Sequence, residues 1–152
     1  MIQEQKELLL KDLCARLPYG VVCADVYTDE KFINKWNILA IDGTYGNEFV
    51  QVCISNCEKI YGYKTSITNI KPYLFPLSSM TEEQWNNAPR VDLTNFTFES
   101  FKCGCFTLAS YTCENNLHDL LEFINWLYKN HFDVNGLIPL GLAKDATNLN
   151  IY

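Results

Sequence analysis

The sequence predicts an α+β domain, a small antiparallel sheet of about four or five strands packed against an N-terminal helix and a long C-terminal helix. Three observations predict it. Apolar residues recur at helical spacing near both ends of the chain, at Leu10, Leu13, Cys14 and Leu17, and again at Leu117, Leu120, Leu121, Ile124, Leu127, Tyr128 and His131. Between these lie short runs of β-branched and aromatic residues. Asp42-Gly43 supplies turn chemistry between two of those runs, which reads as a β-hairpin. A partly closed, SH3-like barrel with appended helices is the alternative architecture. At 152 residues, with no repeat, low-complexity run or Gly/Ser linker, the chain reads as one domain over 1–152.

The first helix runs from Glu4 until Pro18 stops it, with Lys6, Lys11, Asp12 and Arg16 falling mostly off the apolar face. Tyr19 to Tyr27 reads as a strand, bounded by the polar cluster Thr28 to Lys31, where a reversal is expected. Trp36 to Asp42 and Glu48 to Ser55 form the hairpin, and Tyr61 to Ile67 adds a shorter strand. In Ile70 to Met80 the prolines at 72 and 76 each remove a ladder donor, which predicts an ordered crossing without regular structure. Thr81-Glu82-Glu83-Gln84 has the form of a capping box opening a short helix that ends before Pro89. Phe96 to Thr112 is β-rich in residue type and reads as one or two strands. The long helix follows over Leu117 to His131 with Asn116 as its cap, and the apolar stretch Phe132 to Ala146 is expected to pack back on the domain. The last few residues are expected to fray.

Composition excludes several classes of function. A net charge of -6 without a Lys/Arg cluster disfavours nucleic acid as a partner. The start of the chain, MIQEQKELLLK, lacks the continuous apolar stretch of a signal peptide, and no run is long enough to span a membrane. The expected setting is therefore a reducing cytoplasm with no membrane partner. In that setting an odd seven cysteines (14, 23, 53, 57, 103, 105, 113) read as packed thiols rather than a disulfide framework.

Three segments together resemble a known group: Leu8 to Val21 (LLLKDLCARLPYGV), Ile70 to Gln84 (IKPYLFPLSSMTEEQ) and Leu121 to Thr147 (LEFINWLYKNHFDVNGLIPLGLAKDAT). They are similar to small uncharacterised proteins carried by gut Bacteroidetes, their phages and other mobile elements. The likeness covers about a third of the chain and leaves out Cys23 to Asn69 and Asn87 to Asn116. It implies a small accessory protein in the cytoplasm of a bacterial host cell. It implies no chemistry, and it carries over no catalytic residue.

Candidate chemistry is weighed against plainer roles. Cys53 with Cys57 and Cys103 with Cys105 offer two close thiol pairs, but their spacings depart from Cys-x2-Cys knuckles, so no metal is expected. His118 and Glu122 stand four apart on the long helix with no second histidine following, which reads as a surface ion pair. His131, two residues before Asp133, is either a base poised by a carboxylate or a partly cationic cap at the helix C-terminus, the second being preferred. Cys113 with His118, Ser79 with His131 and Lys71 with Ser78 or Ser79 are pairings without a recognisable motif. Asp25, Asp29, Glu30, Asp42 and Glu48 read as solvated turn residues rather than magnesium ligands. No phosphate-cradling loop is present and no cofactor is expected.

One compositional feature remains, the 14% of aromatic residues. Tyr45, Tyr61, Tyr63 and Tyr73 fall in predicted turns or irregular backbone, where tyrosine suits ligand or partner recognition, against the plainer role of roofing a small core. The leading function is a non-enzymatic interaction protein of a phage or mobile element that binds a host protein. The alternative is a small-molecule binder that sequesters a nucleotide signal as a counter-defence, and a hydrolase using His118 or His131 ranks last.

Overall fold

A computed structural model of the chain describes residues 1–25, 36–42, 51–56, 63–91, 97–102 and 114–152. Helix α1 (Gln3–Arg16) starts where the backbone N–H of Ile2 donates to Gln5 Oε1 at 3.1 Å. Pro18 ends it in a single 3-10 turn, Leu17–Tyr19, after which Gly20 turns the chain at φ 74°. The helix buries Leu9, Asp12, Leu13 and Arg16, an i, i+3, i+4, i+7 set. The expected face was one step off: Cys14 is exposed, Leu10 and Leu17 are half-buried, and two charged residues point inward.

Six strands follow among the described residues: β1 (Val22–Asp25), β2 (Trp36–Asp42), β3 (Gln51–Asn56), β4 (Tyr63–Ser66), β5 (Ile70–Leu74) and β6 (Lys144–Asp145). Their order is β4-β3-β2-β1-β5-β6, antiparallel throughout except for the parallel β5–β6 pair. The sheet is open, so the fold is α+β and the barrel alternative does not apply. The hairpin is present as read, with Trp36 opposite Asn56 and Asp42 opposite Gln51, and with a register shift between Ile38 and Ala40. Its turn, and the expected reversal at Thr28 to Lys31, lie outside the described residues.

The first half of the irregular crossing expected at Ile70 to Met80 is instead strand β5, paired on both sides between β1 and β6. Pro72 is tolerated because of where its nitrogen points. Leu74 O accepts from Ala146 N at 2.8 Å on the β6 side, so alternation turns Pro72 to that same side, one residue before the β5–β6 pairing begins at Tyr73. No ladder donor is required there. Pro76 lies beyond the strand, just before the 3-10 turn Leu77–Ser79.

Helix α2 (Glu82–Asn87) carries the expected capping box, with Gln84 N on Thr81 Oγ1 at 3.2 Å and Thr81 N on Gln84 Oε1 at 2.9 Å. Where strands were expected after Phe96, Phe98–Lys102 forms helix α3. A local cap overrides the β-rich composition: Ser100 N donates to Thr97 Oγ1 and Thr97 N to Ser100 Oγ. Residues 103–113 lie outside the described set. Helix α4 (Glu114–Lys129) begins before the expected cap Asn116, and it buries Phe123 and Leu127 while leaving Leu117 and Leu121 exposed at 54% and 49%.

The core has three parts. Leu9 and Leu13 of α1 pack on Cys23, Ile38, Ile70 and Leu74 of the sheet, together with Leu137 and Leu142. On the alternate positions Val22, Ala24 and Tyr73 meet Ala146 and Ile151. An aromatic cluster joins α2, α3 and α4 through Phe101, Phe123, Phe132, Trp85 and Trp126. The stretch after α4 packs back as expected. Its far end is not frayed, since Ile151 is buried and the Tyr152 hydroxyl is bonded inside. Among the described residues no helix is long and apolar enough to cross a membrane.

Candidate functional site

The buried polar groups gather where α1 meets the exit of α4. On α1, Asp12 and Arg16 are one turn apart and neither is exposed to solvent at all. Arg16 grips Asp12 with two parallel bonds, Nε to Oδ2 at 2.6 Å and Nη2 to Oδ1 at 3.0 Å. Its Nη2 also donates to the backbone oxygen of Phe132 at 2.6 Å, and its guanidinium carbon lies 4.8 Å from the Tyr128 ring centre. Asn135 completes the arrangement, its Nδ2 donating to Asp12 Oδ1 at 2.9 Å and to Tyr128 Oη at 3.1 Å. One donor, Arg16 Nη1, is buried without a protein partner.

The exit of α4 supplies the second half. Phe132 N donates to Leu127 O and His131 N to Tyr128 O, with His131 at φ 60°. This is the Schellman pattern with histidine at the position glycine usually takes, a left-handed conformation that costs about 1–2 kcal/mol for a residue with a Cβ. The His131 ring lies flat against the Tyr152 ring, 3.6 Å between centres and 6° between planes. Its Nδ1 is buried without a partner. Burial pushes the imidazole down from 6.5 to about 4, with the Arg16 cation adding to the effect, so the ring is neutral near pH 7.

His131 does stand at the helix exit, as expected of a cap, but burial and then the Arg16 guanidinium oppose its cationic form, and Asp133 does not hold the ring. Asp133 instead accepts the backbone N–H groups of Leu137 at 2.7 Å and Ile138 at 2.8 Å. Tyr152 reaches the sheet: its hydroxyl donates to Tyr73 O at 2.8 Å and accepts Val22 N at 3.4 Å, bridging β5 and β1 where their direct pairing stops. Burial raises the Tyr152 phenol well above its ordinary range.

The sequence-predicted tyrosines are not brought together by the described residues. Tyr45 and Tyr61 lie outside them, as does the side chain of Tyr63, whose backbone belongs to β4. Tyr73 stands in β5 at 3% exposure rather than on a loop, its phenol raised by burial and then by Cys23, so it faces the core and offers no surface for recognition. Of the thiols weighed for zinc, Cys57, Cys103 and Cys105 are outside the described residues, as are Cys113 and the Cys53 side chain. Among the described residues no three His, Cys, Asp or Glu side chains are placed to hold a metal ion. His118 and Glu122 form the expected exposed pair at 3.2 Å. Ser79 Oγ is spent on Pro76 O at 2.7 Å.

The Asp12–Arg16 pair went unread in the sequence, although its four-residue spacing was visible. Comparison with protein-family models, with curated proteins and with solved structures finds no match to this chain.

Proposed function

We propose that the protein is a non-enzymatic accessory protein of a phage or mobile element that binds a host protein. The observation that carries this reading is the pair Leu117 and Leu121 on α4. They stand four residues apart, hence on one helix face, and both are about half exposed beside the His118–Glu122 pair. A small apolar anchor with a polar rim is the usual anatomy of a protein contact. A binding role is also supported by how the buried polar groups are used. Asp12 and Arg16 neutralise each other, Asp133 caps two amides and His131 is stacked and neutral, so these groups serve the fold.

The test is reconstitution of a complex. Wild-type protein and the Leu117→Glu/Leu121→Glu variant are used to capture partners from a gut Bacteroidetes lysate, and each candidate is then purified and mixed with both proteins. The expected result is a stoichiometric complex with wild type, weakened at least tenfold by the double variant, whose melting temperature is unchanged. A complex that ignores the substitutions rejects the α4 surface. A small molecule retained in native mass spectrometry, with no protein partner, rejects the reading itself.

A further inference from the structure

We propose that His131 is the trigger of an acid-sensitive strap, in which protonation of its ring displaces Tyr152 and frees residues 146–152 from the sheet. Hydrogen bonds to the sheet anchor the strap at its two ends. Ala146 N on Leu74 O holds one end and the Tyr152 hydroxyl, between Val22 N and Tyr73 O, holds the other. Between them Leu149 N donates to Ala146 O and Ile151 N to Leu149 O. Tyr152 is 44% exposed even so, which makes it the part of the strap nearest to leaving.

The ring that Tyr152 rests on cannot accept a proton comfortably where it sits. A protonated His131 would carry an N–H at Nδ1, which is buried without an acceptor. The charged and titratable groups around it do not help. From α1 come Arg16, a second cation, and Asp12, already gripped by Arg16 and Asn135. Tyr128 comes from α4 and Tyr152 from the strap, while Tyr73 of β5 and Cys23 of β1 lie behind the Tyr152 hydroxyl. Asp133 is committed to the Leu137 and Ile138 amides. The left-handed backbone of His131 is tied into the α4 exit by its own N–H and by the bond from Phe75 N to its carbonyl. Relief therefore comes from moving the strap, whose Tyr152 ring covers the imidazole and is itself half exposed.

The sign follows from the lowered value. The closed strap disfavours the proton more than the open one, in which Arg16 keeps its place on α1, so the closed form is fully favoured above pH 6.5 and loses ground as pH falls towards 4. Between pH 7 and pH 5 the open-to-closed ratio rises by at most ~20-fold, the limit in which opening returns the imidazole to 6.5.

Amide hydrogen exchange read by NMR on the intact chain, corrected for intrinsic rates, tests this. In wild type the protection of the Val22 and Ile151 amides is expected to fall severalfold, up to ~20-fold, from pH 7 to pH 5 while that of Leu13 holds. His131→Asn, which tolerates positive φ and does not titrate, should abolish that fall. An equal fall at Leu13, or the same pH dependence in His131→Asn, overturns the proposal. If His131→Asn does not fold, the His131 titration in Tyr152→Leu decides: a pKa that moves back towards 6.5 supports the strap, and one that stays near 4 overturns it.

Discussion

Asp12 and Arg16 carry the highest electrostatic stakes of any described residues. Removing each ion from water costs several kcal/mol, and the pair offsets this through its two-bond geometry, the Phe132 carbonyl, the Asn135 amide and the face of Tyr128. The net worth of the intact pair is therefore small, but each partner depends on the other. Arg16→Met and Asp12→Ala should each lower stability by about 3–5 kcal/mol, because either one leaves a buried charge unmatched. The double variant should lose little more than either single one, a coupling measured by urea denaturation of the four proteins. Losses that simply add would mean that the two charges act independently. The spacing of these residues was legible in the sequence, whereas their burial was not. A charged pair on a solvated face and a mutually neutralised pair in a core look alike in one dimension. What separates them here is bonds to Phe132 and Asn135, 116 and 123 residues further along the chain.

At the scale of elements, local chemistry was legible and long-range chemistry was not. The α2 cap could be read because Thr81 and Gln84 satisfy each other within four residues. The same kind of cap at Thr97 and Ser100 was masked by strand-forming neighbours, and β5 was masked by a proline whose tolerance depends on which side its nitrogen faces. The loop after α4 depends most on a single residue. Asp133 holds Leu137 N and Ile138 N while its own N–H donates to Phe75 O at 2.8 Å, so one side chain shapes the turn that sends the chain back towards β6. Removing two bonds to a charged acceptor at a buried position should cost about 3 kcal/mol or more in Asp133→Ala. Asp133→Asn keeps one carbonyl oxygen and should lose roughly half as much. Guanidinium unfolding of the two variants checks this, and an equal loss in both would mean that charge or packing, rather than the count of accepted bonds, fixes the turn.

Across the whole molecule the fold class, the hairpin and the two terminal helices were legible, because each rests on periodicity within one segment. The attachment of β6 was not, since two residues carry no periodic signal and their parallel pairing with β5 follows from the turn before them. Among the described residues, Phe75 and Arg16 link the parts of the core. Phe75 packs against both the aromatic cluster and the cluster around Tyr73, and its backbone is bonded in both directions to the α4 exit, from Phe75 N to His131 O and from Asp133 N to Phe75 O. Arg16 links α1 to Phe132, which belongs to the aromatic cluster. Neither the α1 cluster nor the aromatic cluster can lose its packing without breaking these buried polar bonds, which are costly to leave unmade. These two clusters should therefore open together. Leu13 in α1 and Leu127 in α4, both buried, should exchange their amides with the same opening free energy and the same dependence on denaturant. A value for Leu127 lower by more than about 1 kcal/mol would divide the molecule into two bodies and confine the role of Arg16 to its own helix.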